Sequence, residues 1–373
     1  MKVLLLSCNT GQGHNSAAKA IKDYFEKHGV KCDIKDALAY WSEKSSKIIS
    51  SGHVYIYRNL PKLFGIGYKF EENHPAKGDK SSFMYNLVTR GCKALKADLD
   101  ESDYSAVVCT HIFPAMMLTK IKKKWGLDIP TYSVATDYTC CPGTSETDVD
   151  YYFIPHADLT DEFIAAGIPK AKLVDSGIPV NPIFYKKSSR AYAKGFLNLP
   201  EDKKIALIMC GSMGCGPIKQ FVEMLPEMLP ENAHLVVICG SNRRLYKSLN
   251  KHEHSNVSII GYTTRISYYM DAASVILTKP GGLSSTEAAV KHLPMIFINA
   301  VPGCETRNFD FFLSRGFADS SPEISDLAEL LCDYLRDESK TSNMEKKLKD
   351  NFGKFAAMEI YNCVCGVKEQ PVK

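Results

Sequence analysis

Long apolar runs are missing from this chain. No stretch approaches the roughly 18 consecutive apolar residues that a bilayer-spanning helix needs. The opening segment, Met1-Lys2-Val3-Leu4-Leu5-Leu6-Ser7-Cys8, has an apolar run of only four residues. A secretory signal would need roughly 7–15. A Cys-x-x-Cys pair is also missing, although there are thirteen cysteines. Cys109, Cys210 and Cys239 sit inside apolar runs, where a free thiol is a small hydrophobe. A reducing cytoplasm is therefore expected, and a metal cage is not. Nor is there an excess of one charge: 46 basic residues face 42 acidic ones, a net of +4. That argues against a nucleic-acid partner. What remains is a globular composition, 45% hydrophobic and 24% charged, at a length that suits two ordinary domains. The expectation is a soluble protein or one that rests on a membrane surface.

The most informative stretch is Thr278-Lys279-Pro280-Gly281-Gly282-Leu283-Ser284-Ser285-Thr286-Glu287-Ala288-Ala289. A short apolar run, Ser274–Leu277, reads as a buried strand before it, and the residues from Glu287 to His292 read as a helix stopped at Leu293-Pro294. Two glycines at a strand-to-helix turn let the backbone approach a ligand closely. Ser284 and Ser285 are predicted N-caps, with free amides behind them that favour an anion such as a diphosphate. Glu287 is expected in the first turn, placed to accept from sugar hydroxyls. The plainer reading is a capped glycine turn with nothing bound.

Alternation of strands and helices runs through most of the chain. Val3–Ser7 reads as a strand, Asn9–Ser16 as a glycine loop, and Ala17, Ala20, Ile21, Tyr24 and Phe25 fall at helical spacing. Strands are also predicted at 106–109, 131–135 and 150–154. The second half repeats the opening. A strand at 205–210 leads into Gly211-Ser212-Met213-Gly214-Cys215-Gly216, and strands follow at 234–239, 257–260, 274–277 and 295–298. The predicted class is therefore α/β, two Rossmann-like doubly wound domains facing a cleft, with ligands at the carboxyl ends of strands. Residues 181–204, charged and flanked by proline, read as a linker.

Residues 41–96 interrupt the pattern. They carry Trp41, Tyr55, Tyr57, Phe64, Tyr68, Phe70, Phe83 and Tyr85, with ten basic against four acidic residues, a net of +6. Aromatic rings among basic residues suit an anionic lipid surface. Ordinary amphipathic helices with a long loop would account for the same composition. Asp148-x-Asp150 mimics a metal-binding pair, yet Asp150 opens a strand, so a structural role is the expectation.

Several of these strings together resemble the glycosyltransferases that make glycolipids: monogalactosyldiacylglycerol synthases, processive diacylglycerol glucosyltransferases and, more distantly, the lipid II-forming GlcNAc transferase. Gly11-x-Gly13-His14 resembles their acceptor-side loop. Asp150–Pro155 and Gly177–Val180 match middle motifs, while 279–288 and Pro302-Gly303-x-Glu305-x-x-Asn308 match the donor site. The resemblance implies the GT-B fold: an acceptor domain over 1–180, a UDP-sugar domain over 181–342, and a terminal helix within 343–373 that crosses back to the first domain.

Transfer with inversion from a nucleoside diphosphate needs a base and relief of leaving-group charge. His14 is the expected base, with Asp137 to orient it or replace it, and His111 a weaker choice. The donor is expected to meet Gly13, Gly211, Ser212, Met213, Gly214, Tyr262, Lys279, Gly281, Gly282, Leu283, Ser284, Ser285, Glu287, Glu305 and Asn308, with no metal and no other cofactor. The chain departs from the family at Cys304, where the glycolipid enzymes usually have glutamine, which leaves glucose and galactose undecided. The expected reaction moves a hexose from a UDP-sugar to diacylglycerol or a similar lipid, at an anionic membrane surface on the cytoplasmic face. GlcNAc transfer to an isoprenoid-linked acceptor, a UDP-GlcNAc 2-epimerase and a non-catalytic UDP-sugar sensor are the alternatives.

Overall fold

The computed structural model describes residues 1–42, 44, 46–47, 51–52, 55, 65–66, 68, 82–211, 214, 216–251, 255–298 and 300–367. Two compact units emerge. One comprises Met1–Pro182, Val301–Arg307 and Lys354–Lys373; the other comprises Ile183–Ala300 and Asn308–Gly353. In chain order, the first unit holds β1 (Lys2–Ser7), α1 (Gln12–Lys27), β2 (Lys31–Asp36), α2 (Phe83–Val88), α3 (Cys92–Glu101), β3 (Ala106–Cys109) and α4 (Ile112–Trp125). It continues with β4 (Thr131–Val134), β5 (Tyr151–Ile154), α5 (Thr160–Ala165) and β6 (Leu173–Asp175). The second unit begins with α6 (Arg190–Leu197), β7 (Lys204–Met209), α7 (Ile218–Met228), β8 (Ala233–Ile238), α8 (Arg243–Leu249) and β9 (Val257–Ile260). After these come α9 (Ile266–Ala272), β10 (Ala273–Thr278), α10 (Gly282–Lys291), β11 (Met295–Phe297), α11 (Cys304–Arg315, its residues up to Arg307 belonging to the first unit), β12 (Asp319–Ser320), α12 (Ile324–Arg336) and α13 (Glu338–Asn351). The chain then returns to the first unit as α14 (Ala356–Cys365).

Each unit is built on a six-stranded sheet, in the order β2-β1-β3-β4-β5-β6 and β12-β11-β10-β7-β8-β9 respectively. Every strand pair is parallel. A central parallel strand is covered on both faces, which is why β1 and β7 read as unbroken apolar runs. Val3, Leu4, Leu5 and Leu6 are all fully buried. Val3 and Leu5 pack with Ala18, Ile21 and Phe25 of α1 and with Ile360 and Val364 of α14.

The structure corrects two sequence readings here. Residues 181–204 are no linker: they contain α6, capped by Ser189 and closed by Asn198 in the left-handed region, and they belong to the second unit from Ile183 onward. The helix sought over 343–365 is two helices, broken around Phe352 and Gly353. Only α14 joins the first unit.

The carboxyl end of α10 is fixed by a buried ion pair. Lys291 donates to both carboxylate oxygens of Asp271 at 2.8 Å and to the Lys186 carbonyl, with the two side chains 1% and 5% exposed. Truncating Asp271 would strand a buried ammonium. Asp271→Ala is expected to cost about 3–5 kcal/mol in urea unfolding of the full chain. An unchanged midpoint would show that Lys291 escapes to solvent.

Candidate active site

In the first sheet, β1 pairs with β2 on one side and β3 on the other, so the order reverses beside β1. Such a reversal leaves a crevice at the carboxyl ends of the strands. The segments after β1, β3 and β4 line it, and they supply Gly13-His14, Thr110-His111 and Thr136-Asp137. Helix α1 starts at Gln12 behind Gly11, with no side-chain cap. Gly13 and His14 therefore lie in a first turn whose amides have no capping side chain.

His14 is half-buried, and its ring is held on one edge. Nδ1 lies 3.0 Å from the Thr110 carbonyl and 2.9 Å from the Thr136 hydroxyl. A carbonyl only accepts, so Nδ1 carries the proton and the basic lone pair falls on Nε2. The Thr110 hydroxyl in turn donates to the His14 carbonyl at 3.0 Å. The His111 ring meets His14 edge-on at 4.5 Å. His111, the weaker choice of base, has a structural role: its Nδ1 accepts from the Phe113 amide at 3.1 Å and so caps α4. Thr110 and Thr136 were not singled out from the sequence. Their only signal is their place immediately before two residues that were.

Asp137 is half-buried beside Thr136. Its carboxylate comes within 4.8 Å of the sulfurs of Cys141 and Cys304. Asp150, by contrast, accepts from the Thr131 amide and hydroxyl at 2.8 Å and from Lys122 at 2.7 Å, a strand-end anchor. Glu305, in the first turn of α11, accepts from the Val301 amide at 2.8 Å.

The second sheet reverses beside β7, which pairs with β8 and β10. The two flanking loops are the glycine loop after β7 and the turn before α10. Gly211 and Gly214 have φ of +69° and +54°. A Cβ on Gly214 would stand 2.3 Å from the Cys239 carbonyl oxygen, so no other residue fits. Ser212 and Met213 lie outside the described residues. Gly214→Ala is expected to displace this loop and to lower the thermal midpoint by several degrees, since both strain and a clash arise. A midpoint within about 1 °C of wild type would rule out the tight approach.

Helix α10 begins at Gly282, not after the serines. Gly281 is the extended N-cap residue and offers no side-chain hydrogen bond. The glycine lets the helix start early, so Ser284 and Ser285 fall inside the first turn instead of capping it. Ser285 is fully buried, its hydroxyl without a partner among the described residues. The uncapped amides of Gly282, Leu283 and Ser284 consequently keep their attraction for an anion. Lys279 is half-buried one residue before Pro280. Asn308, fully buried, donates to the Pro280 carbonyl at 2.9 Å and so braces the turn from behind. Tyr262, after β9, is 76% exposed.

Glu287 sits in the second turn of α10, not the first. The residue is half-buried by its accessible surface, but its carboxyl is packed among neighbours, and burial pushes its pKa up to about 8. A carboxyl kept neutral by desolvation gains from a ligand that donates hydrogen bonds to its charged form.

Comparison with known proteins agrees with this geometry. Residues 14–180 match the monogalactosyldiacylglycerol (MGDG) synthase family model, and residues 205–302 match the glycosyltransferase family 28 C-terminal domain. Processive diacylglycerol beta-glucosyltransferase from Bacillus subtilis is 28% identical over 94% of this chain and 91% of its own length. The protein of the same name from Bacillus cytotoxicus is 29% identical over 97% and 93%. Among solved structures, Acinetobacter baumannii MurG aligns with a TM-score of 0.65 at 13% identity, covering 98% of this chain and 99% of that one. At that identity the likeness speaks for the fold, two Rossmann-like domains of the GT-B class. By both family models and by its full-length relatives, the chain is similar to the glycolipid glycosyltransferases, the monogalactosyldiacylglycerol synthases and processive diacylglycerol glucosyltransferases.

Proposed function

We propose that the protein is an inverting glycosyltransferase that moves a hexose from a UDP-sugar to diacylglycerol or a closely similar lipid. The observation that carries this reading is the ring of His14. Its Nδ1 faces a main-chain carbonyl, which leaves Nε2 as the base for an acceptor hydroxyl. The uncapped start of α10 and the Gly211–Gly214 loop supply amides for the leaving diphosphate. Glu287 takes the sugar hydroxyls. Since the relatives quoted are named glucosyltransferases, glucose is the first donor to try.

No divalent metal takes part in this scheme, because the amides do the work of charge relief. The acceptor is a lipid, yet among the described residues no helix is long and apolar enough to cross a membrane. We therefore propose that the enzyme works from an anionic membrane surface on the cytoplasmic side, through the basic and aromatic segment 41–96. Within it, Tyr55 and Phe83 are 61% and 78% exposed. Tyr57, Phe64 and Phe70, part of the same expectation, lie outside the described residues. From residue 82 onward the segment is part of the fold: Tyr85, Val88 and Leu95 are buried.

Proton NMR of the first product tests the reaction class. Inversion at the α-linked donor sugar is expected to give a β-linked lipid glycoside, and an α-linked product would rule out single displacement by a His14-activated hydroxyl. Co-sedimentation tests the surface. Binding to phosphatidylglycerol vesicles is expected to rise with anionic lipid content and to fall between low salt and about 0.5 M salt, where screening shortens to a few ångströms. Protein that stays in the supernatant at low salt would make 41–96 a cap or an acceptor pocket.

A further inference from the structure

No metal is expected from the sequence, because it contains no Cys-x-x-Cys pair. Folding changes that for one group. Asp137, Cys141 and Cys304 each present one ligand atom, and the three atoms lie within 4.8 Å of one another. The two sulfurs are 4.0 Å apart although 163 residues separate them in sequence. All three residues belong to the first unit.

The spacing discriminates between two chemistries. A disulfide needs its sulfurs about 2.05 Å apart. Two thiolates on a tetrahedral zinc ion, each at about 2.3 Å, stand about 3.8 Å from one another. The observed 4.0 Å is a thiol–thiol contact, too long for a disulfide and close to a tetrahedron's edge. The loop that carries Cys141 is also held in place. The Thr139 hydroxyl and Cys140 amide both donate to Glu162, at 2.6 and 2.7 Å, and the Cys141 carbonyl accepts from the Thr144 hydroxyl at 2.7 Å. Beside the cluster, the Tyr68 hydroxyl is buried with no hydrogen-bond partner among the described residues.

We propose that Asp137, Cys141 and Cys304 bind one soft divalent cation of the zinc class, with a fourth position open to water. Two thiols and one carboxylate select such an ion over magnesium or calcium. Binding replaces two S–H bonds by two sulfur–metal bonds and releases two protons to solvent. Cys304 stands where the glycolipid enzymes this chain resembles usually have glutamine, so the site is a departure from their pattern. Metal binding at these three residues is independent of which hexose or lipid the enzyme uses.

Cobalt(II) titration of the reduced full-length protein tests the proposal. One equivalent is expected to produce thiolate-to-cobalt charge-transfer absorption with the intense visible bands of a tetrahedral ion, and zinc should abolish both. Cys141→Ser and Cys304→Gln should each lower cobalt affinity by at least about 100-fold, more than loss of an outer contact would. The far-UV circular dichroism spectrum should match wild type in both variants, which shows that they fold. Absence of the charge-transfer bands overturns the proposal. Bands that form with wild-type affinity in either variant overturn it too, because the metal then sits on other cysteines. A protein that takes up no cobalt but forms a Cys141–Cys304 cross-link under a diazene oxidant has a redox pair here and no metal site.

Discussion

Replacing His14 by alanine is expected to lower hexose transfer by about 10²–10⁴-fold, the usual contribution of a general base. UDP affinity should remain within about twofold of wild type, since Glu287, the start of α10 and the Gly211–Gly214 loop lie in the other unit. The reasoning starts from the Thr110 carbonyl. It cannot donate, so it fixes the proton on Nδ1 and directs basicity to Nε2. Thr136→Val keeps the carbonyl contact but removes the second one at 2.9 Å. It should therefore lose part of the rate, about tenfold, with KM for the donor unchanged. A His14→Ala enzyme that keeps most of its turnover would move the base to Asp137.

The second large effect belongs to Glu287. Glu287→Ala is expected to weaken binding of the UDP-sugar by about 30-fold or more, roughly 2–4 kcal/mol, through loss of a charged acceptor for two hydroxyls. Its pKa of about 8 adds a pH dependence with a definite sign. If the sugar is bound by the carboxylate, the ligand-free protein must first give up a proton, so affinity rises with pH and levels off above 8. Between pH 6 and 9 the gain should approach 100-fold, and Glu287→Gln should abolish it. Stability runs the other way. Between the ordinary value of 4.5 and about 8 the folded chain holds this proton and the unfolded chain does not. Ligand-free stability accordingly falls as pH rises through that window, by at most roughly a few kcal/mol once partial solvent contact is allowed for. Calorimetry with a UDP-sugar across this range, with parallel urea titrations, reads both slopes. Flat profiles in both would place Glu287 outside the nucleotide-sugar site.

Much of the fold was legible because parallel strands advertise themselves. Val3–Leu6 and Ile205–Ile208 are unbroken apolar runs, as strands covered on both faces must be, and each is followed by a glycine loop. The turn before α10 was legible for the same reason. Its details were not. Serine is so strong a capping residue that Ser284 and Ser285 outweighed the glycines in the reading, whereas Gly281 caps by backbone alone. The charge and flanking prolines of 181–204 hid α6, whose apolar side packs on α9 within its own unit. The break between α13 and α14 is written only in Phe352-Gly353. Side-chain partnerships between distant segments were beyond reach. Neither the Thr110 and Thr136 contacts to His14 nor the meeting of Cys141 with Cys304 has a local pattern that would announce it.

The central claim is acceptor-dependent transfer to a lipid. Purified protein should be incubated with UDP-glucose, UDP-galactose and UDP-GlcNAc, each with and without diacylglycerol vesicles, and the lipid extract and the nucleotide pool followed together. The expected result is release of UDP from UDP-glucose, or from UDP-galactose, only when diacylglycerol is present, with an equal amount of sugar recovered in the lipid. Conversion of UDP-GlcNAc without any acceptor, and no sugar in the lipid from either hexose donor, would contradict it.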